Sequence, residues 1–374
     1  MKIVFVINSL GLGGAERILY DLTLGLSKEG IEIIVVNLSR PGFYSNRLRD
    51  HNIAVIDLGV YSGFRRLFKS VMLAHVLYKL QPSLVHTWLY KSDLLAGAIT
   101  KYLLKVPVIW GIYAGRTNRN LYNIYTYSLI RLCAHFSTRI PSKIISCSAF
   151  GRRTHIKIGY SSSKIVYIPS GFAINNCNSR DNTRAKNSQC PIRFGMLGRI
   201  TTEKDHTLLI TAISELTRKT HNLELVLAGG TGVDLNNNSL VFQLADSGIL
   251  DSTTLMGNIE TPDEFYDSID IFCLISKSEG FPTVVGEAMA KGLPCIVSDI
   301  GDARILLDDK TQLVAPENLN ELLAAIEHFM RLSVDERSTI GIKNKQRIDR
   351  HFSLNRMVRR YKDLYSDVLP IDAA

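Results

Sequence analysis

Two carboxylates stand eight residues apart at Glu279 and Glu287, with Gly280, Phe281, Pro282, Thr283 and Val284 between them. The apolar run 269–275 before them reads as a buried strand of a parallel sheet. Gly280 and Pro282 break the chain, residues 283–291 have helical character, and Gly292-Leu293-Pro294 stops them. A second apolar run, 293–298, follows. A helix starting near Pro282 aims its unpaired N–H groups and the positive end of its dipole back at the loop, which makes a seat for a phosphate. Carboxylates on either side of such a seat suit sugar hydroxyls, so the stretch points to a nucleotide-sugar. Glu287 lies among Val284, Val285, Ala288, Met289 and Ala290, and a carboxylate in that company needs a partner.

Arg199 and Lys204 sit in Gly198-Arg-Ile-Thr-Thr-Glu-Lys-Asp-His206, between a strand and a helix. A guanidinium fork and an ammonium point charge suit a diphosphate there. The alternative is an exposed charged turn with Asp205 as a helix cap. Gly11-Leu-Gly13-Gly14 follows the first strand and lets a phosphate or sugar approach the backbone. It is not a dinucleotide fingerprint, because the residue three after Gly13 is Glu16 and the second strand ends at Asn37, where an acid would be expected. A tight turn without a ligand is the plain alternative. His86 ends an apolar run; a lone histidine there is more often a satisfied core or rim residue than a catalyst.

The elements that must position these groups alternate. Apolar runs begin at residues 2, 31, 53, 84, 106, 143 and 164, with amphipathic stretches between several of them, which predicts a doubly wound parallel sheet. Residues 173–190 are crowded with Asn and Ser and read as a linker. The alternation restarts at Ile192. The expected division is residues 1–172 with a returning helix in 353–374, the linker 173–190, and a second domain over 191–352. Two such Rossmann-like domains facing across a cleft would place their ligands beyond the strands' carboxyl ends.

At 374 residues the chain has room for two cores. Residues 1–190 hold 25 Lys/Arg and 8 Asp/Glu, a balance of +17; residues 191–374 hold 19 and 27, a balance of −8, and the sum is the net +9. A basic half beside an acidic half implies that one domain meets something anionic. Basic residues mixed with Tyr122, Tyr125, Tyr127 and Phe136 over 116–164 suit an anionic bilayer, or else a solvated face with buried tyrosines. No module for reading a nucleic-acid groove is present, so nucleic acid ranks low. No run reaches the roughly 18 apolar residues of a spanning helix. The start, Met1 to Ile7, reads as a strand rather than a secretory signal. The six cysteines form no Cys-x-x-Cys pair; Cys177 and Cys190 flank the linker and could meet. The expected location is cytoplasmic, peripheral at the inner face of the cell membrane.

Together these motifs resemble the retaining glycosyltransferases of the GT-B fold, family 4, also called group 1. The resemblance rests on Gly13-Gly-Ala-Glu-Arg17, Gly198-Arg199 with Glu203-Lys-Asp-His206, Leu225-Val-Leu-Ala-Gly-Gly230, Leu255-Met-Gly-Asn258, and above all Glu279-Gly-Phe-Pro with Glu287. It implies a donor, a UDP- or GDP-sugar, held mainly by the second domain. Arg199 and Lys204 would neutralise the diphosphate. Gly13, Gly14 and the backbone of Gly280, Phe281, Pro282, Thr283 and Val284 would line the phosphates and sugar. Glu287 would hold the ribose, Glu279 the donor sugar near its reacting carbon, and Asn258 and Ile259 the base. His86 matches the family's histidine near the anomeric carbon. The sequence departs from the family pattern at Ser170, where an Asn is usual, and at Arg304, where a Glu is common. No Asp-x-Asp pair occurs, so neither a metal nor another cofactor is expected. The acceptor would be a glycan or a lipid-diphosphate-linked sugar in surface polysaccharide or glycolipid synthesis. The alternatives are a GT-B nucleotide-sugar epimerase and a non-catalytic sugar-nucleotide-binding subunit.

Overall fold

The computed structural model describes the chain except residues 60–64, 116, 118, 120, 121, 175–189, 221, 231 and 370–374. The chain divides into two compact units, Met1–Gly171 with Leu354–Ala374, and Phe172–Ser353.

Unit 1 begins with β1 (Lys2–Ile7), α1 (Gly14–Lys28), β2 (Glu32–Asn37), α2 (Phe43–Asp50), β3 (Ala54–Asp57) and α3 (Arg65–Leu80). It continues with β4 (Leu84–Trp88), α4 (Tyr90–Ala98) running into a π-helical turn (Ile99–Leu104), β5 (Val108–Ile112), α5 (Ile124–Phe136), β6 (Lys143–Ser146), α6 (Ala149–Lys157) and β7 (Ile165–Tyr167). The strands form one parallel sheet in the order β3-β2-β1-β4-β5-β6-β7. Ile3 to Ile7 are all buried, because helices cover both faces of such a sheet.

Unit 2 holds β8 (Ile192–Leu197), α7 (His206–Thr217), β9 (Leu223–Ala228), α8 (Asn238–Asp246), β10 (Thr253–Leu255), α9 (Pro262–Ser268) and β11 (Ile271–Leu274). Then come α10 (Thr283–Ala290), β12 (Cys295–Ser298), α11 (Ala303–Leu306), β13 (Leu313–Val314), α12 (Leu319–Arg331) and α13 (Val334–Phe352). Its sheet is also parallel, in the order β10-β9-β8-β11-β12-β13. The fold is α/β, two Rossmann-like halves, as the alternation predicts.

The last helix, α14 (Leu354–Val368), belongs to unit 1. It buries Met357, Val358, Tyr361, Leu364 and Tyr365, an i, i+1, i+4, i+7, i+8 stripe. Val358 packs where a side chain at Gly25 of α1 would stand, so that glycine lets the two helices approach. The polar helix α13 opens with a reciprocal cap, Ser333 Oγ accepting from the Glu336 amide while Glu336 accepts from the Ser333 amide.

Phe172 and Ser353 fall in unit 2, one residue past the expected boundaries on each side. The Phe172 ring stacks on Phe281 and its amide donates to the Phe352 carbonyl, both unit 2 contacts. Most of the expected linker, with Cys177, lies outside the described residues. Cys190 is a half-buried free thiol. Among the described residues no helix is long and apolar enough to cross a membrane.

Candidate functional site

In an open parallel sheet, ligands bind where the strand order reverses, because the loops leaving neighbouring strands then run to opposite faces and leave a crevice. In unit 2 that point is between β8 and β11. The loop after β8 carries Arg199 and Lys204; the loop after β11 carries Glu279 to Pro282. The topology thus brings the basic motif and the acidic motif to one place, 75 residues apart in the chain at their closest contact.

That contact is direct. Lys204 Nζ lies 2.5 Å from Glu279 Oε1, with the side chains 25% and 14% exposed. The Lys204 stem runs along Gly198, in ordinary contact at 3.6 Å from where a Cβ would stand there. Arg199 lies across Gly230, which has φ +71 and whose Cβ would collide with the arginine's stem. Gly229 (φ +106) closes on Gly198, and its amide donates to the Gly257 carbonyl at 2.8 Å. The loops after β8, β9 and β10 are therefore tied in a row.

The loop bearing Glu279 is held from both sides. The Lys277 amide donates to the Glu203 carbonyl at 2.7 Å, and Lys277 Nζ reaches Asp205 at 3.4 Å and Glu317 at 3.0 Å. Asp205 is thus an ion-pair partner and makes no side-chain cap to α7, against the plain reading of that turn. On the other side the Asp302 amide donates to the Gly280 carbonyl at 2.9 Å. Gly301, at φ +58, would put a Cβ 2.5 Å from that carbonyl oxygen and 2.6 Å from Glu279's. Pro282 is the N-cap of α10, which begins at Thr283 with no side-chain cap, so its first amides remain open toward the loop. Phe281 is buried between Phe172 and Phe352, at 6.1 Å from each ring, and α10 admits Phe172 only because residue 286 is glycine.

Glu287 has the partner its surroundings require. Tyr266 Oη donates to Glu287 Oε2 at 2.8 Å and lies 3.2 Å from the Val284 carbonyl. Tyr266 is 1% exposed on α9, and no spacing in the sequence announces it. Asn258 and Ile259 follow the edge strand β10, two strand spacings or about 10 Å from β8; Asn258 is exposed. Beneath Lys204, burial and the lysine's charge push His206 down to about 4, so its ring is neutral.

Unit 1 has its own reversal point, between β1 and β4. Gly13 caps α1 in extended conformation and Gly14 opens the helix. Glu16 folds back so that its carboxylate covers Gly13, and Ser9 Oγ donates to it at 3.4 Å. An acid at the third helical position is drawn there by the same amides and dipole that would attract a phosphate. Ser92 Oγ donates to Asn8 Oδ1 at 2.8 Å and ties this loop to α4. Asn37 is buried, donating to Arg40 O and to Asp57 Oδ1 at 2.5 Å, a structural role.

The structure places His86, the candidate catalytic histidine, in the interior of unit 1. It is fully buried, packed among Phe5, Trp88, Tyr361 and Tyr365, with Nδ1 2.8 Å from Tyr365 Oη. Burial pushes its pKa down to about 3, so the ring stays neutral. Two of the residues that enclose it, Tyr361 and Tyr365, come from α14, out of reach of any local reading; the Tyr365 bond alone spans 279 positions.

The comparisons with known proteins agree with this architecture. The model for glycosyltransferase family 4 matches residues 12–175, and the model for glycosyl transferases group 1 matches residues 179–347. The capsular polysaccharide biosynthesis glycosyltransferase CapM of Staphylococcus aureus is 23% identical over 84% of this chain and 83% of its own length. The UDP-Gal:alpha-D-GlcNAc-diphosphoundecaprenol alpha-1,3-galactosyltransferase of Escherichia coli is 25% identical over 80% and 79%. Among solved structures, Anabaena HepE in complex with UDP-glucose superposes with a TM-score of 0.84 at 18% identity, over 98% of this chain and 100% of that one, which shows a shared GT-B fold. With one model on each half, this chain belongs to the group 1 glycosyltransferases, glycosyltransferase family 4.

Proposed function

We propose that the chain is a retaining glycosyltransferase that moves a sugar from a nucleoside-diphosphate-sugar to a glycan or lipid-diphosphate-linked acceptor in surface polysaccharide synthesis. The observation that carries this reading is the Lys204–Glu279 pair at the strand-order reversal of unit 2, immediately before the open amides of α10. An ion pair there is a pre-assembled receptor. The donor's diphosphate takes the ammonium, and the freed carboxylate accepts from sugar hydroxyls. Arg199, across Gly230, adds a second cation, and the backbone of 280–284 adds dipoles. As the sugar–phosphate bond breaks, negative charge grows on the leaving diphosphate and positive charge on the sugar carbon. Fixed cations and amides stabilise the first without a metal, and Glu279 opposes the second. Glu287, held by Tyr266, takes the ribose, and the loop at Asn258 and Ile259 takes the base. Unit 1 serves the acceptor, and its basic surface keeps the enzyme peripheral at the inner face of the membrane. A UDP donor is favoured over GDP, since the galactosyltransferase relative uses UDP-Gal and HepE was solved with UDP-glucose.

A thermal-shift screen over nucleoside-diphosphate-sugars identifies the donor, because a ligand of the native state alone raises the apparent melting temperature. With that donor, Lys204→Met is expected to lower kcat/KM about 10²–10³-fold, as removal of a transition-state cation does. Proton NMR of the product reports retention or inversion at the anomeric carbon. No donor that raises the melting temperature, or inversion, would refute the respective part of the reading.

A further inference from the structure

We infer that the outer face of the helix layer α3, α4–π and α5 in unit 1 is a docking surface for an anionic phospholipid bilayer. This deepens the acceptor reading above, which places the enzyme's second substrate on a lipid, and rests on that reading for its purpose alone.

The first ground is charge. Residues 65–164 contain 16 Lys/Arg and a single acid, Asp93. Asp93 is fully buried, accepting from Thr87 Oγ1 at 2.6 Å, and burial raises its pKa well above the usual carboxylate value. The one acid of this stretch of 100 residues is therefore enclosed in the core and not on its surface. Several of its cations are held by neutral carbonyls, which leave their charge uncancelled. Lys164 donates to Thr138 O at 2.6 Å and Pro141 O at 2.7 Å, and Arg131 donates to Ile158 O at 3.1 Å. Burial, Lys101 and Lys143 together hold the Lys164 pKa below its ordinary value, so these three ammonium groups lie near one another.

The second ground is the apolar side chains on the same layer. The inner sides of α3, α4–π and α5 share one core with β1, β4 and β5, through Leu73, Leu77, Ala96, Ile99, Ile130 and Cys133. The outer sides carry Val71 and Tyr78 on α3, Tyr102 and Leu103 on the π turn, and Ile124 and Tyr125 on α5, each more than half exposed. Val71 and Tyr78 are two turns apart and so share a side. The π turn reads Lys101-Tyr-Leu-Leu-Lys105, with both lysines, the tyrosine and Leu103 exposed. Tyrosine and leucine flanked by lysines, with no acid, is the pattern of a surface that seats in the headgroup layer, where aromatic rings are at home and each cation near the surface contributes. A nucleic acid would meet the charge but leaves Leu103, Val71 and Ile124 in water.

The test is flotation of the full chain with vesicles of phosphatidylcholine alone and of phosphatidylcholine mixed with phosphatidylglycerol. Binding is expected to the mixed vesicles only and to weaken as salt rises. Lys101→Ala with Lys105→Ala should weaken it roughly 25-fold, about fivefold per charge. Tyr102→Ser with Leu103→Ser should weaken it with the salt dependence retained. Donor-induced thermal shifts, read in vesicle-free buffer, should be unchanged in both variants, which separates failure of the docking surface from failure of the donor site and also reports that the variants fold. No preference for the anionic vesicles, variants that bind like the parent chain, or tight binding of a duplex oligonucleotide with none to vesicles would overturn the inference.

Discussion

Gly301→Ala is the sharpest probe of how the Glu279 loop is positioned. Residue 301 has φ +58, a region that costs an ordinary residue about 1–2 kcal/mol. The added Cβ would also stand 2.5 Å and 2.6 Å from the carbonyl oxygens of Gly280 and Glu279. Backbone oxygens cannot swing away as a side chain does, so relief to ordinary contact, about 3.4 Å, moves the loop by ~0.9 Å; forced repacking of this kind costs about 1–3 kcal/mol. The sum is a loss of about 2–5 kcal/mol, or roughly 5–15 °C in melting temperature for a unit of this size. The same shift displaces Glu279 from its 2.5 Å partnership with Lys204, and misplacement approaching 1 Å in a positioned group can lower turnover on the order of 10²-fold. Gly30→Ala is the control: residue 30 has φ +78 with nothing within 4 Å of the built Cβ. It should lose only the conformational part, about 1–2 kcal/mol, and keep full activity. Denaturant unfolding and donor turnover on both variants decide the matter. If Gly301→Ala behaves like Gly30→Ala in both assays, the loop is not held as described.

Tyr266→Phe leaves Glu287 without its 2.8 Å donor; stability should fall by about 1–2 kcal/mol, and the donor's KM should rise more than kcat falls. His86, His155 and His206 have folded-state pKa values lowered by burial from 6.5 to about 3, 4 and 4. As pH falls below 6.5 the unfolded chain takes up protons that the folded chain refuses. Their stability, whole above 6.5, is therefore lost toward pH 4 at about 1.4 kcal/mol per pH unit for each. Asp93 has the opposite sign. Burial raises its pKa, so above 3.8 the unfolded chain releases a proton before the folded chain does; its contribution is whole below 3.8 and is lost as pH rises. Asp93→Asn should thus raise stability at neutral pH and steepen the acid loss, measured by denaturant unfolding across a pH series; an unchanged slope would show that Asp93 is charged in the fold.

Much of the fold was legible because a parallel sheet buried on both faces writes itself as unbroken apolar runs, as at residues 3–7 and 271–274. The strand order was not, since nothing local says that β11 lies beside β8, and that adjacency is what brings Lys204 to Glu279. The need for a partner at Glu287 followed from its apolar neighbours, but the partner's identity, Tyr266, depends on how α9 packs. The full burial of His86 was not legible, because two of the side chains that enclose it, Tyr361 and Tyr365, come from the far end of the chain. The polar helix α13 was hidden for a different reason: its 19 residues bury only Gly341, Asn344, Ile348 and Phe352, too sparse a stripe for periodicity to show.

The central claim is that unit 2 recognises a diphosphate through Lys204. Calorimetric titration of the donor's nucleoside diphosphate and monophosphate, into the parent chain and into Lys204→Met, tests it most directly. The account predicts that the parent chain prefers the diphosphate by about tenfold or more, the worth of one charge-assisted contact, and that Lys204→Met binds the two nearly alike. A diphosphate preference that survives intact in Lys204→Met would contradict it.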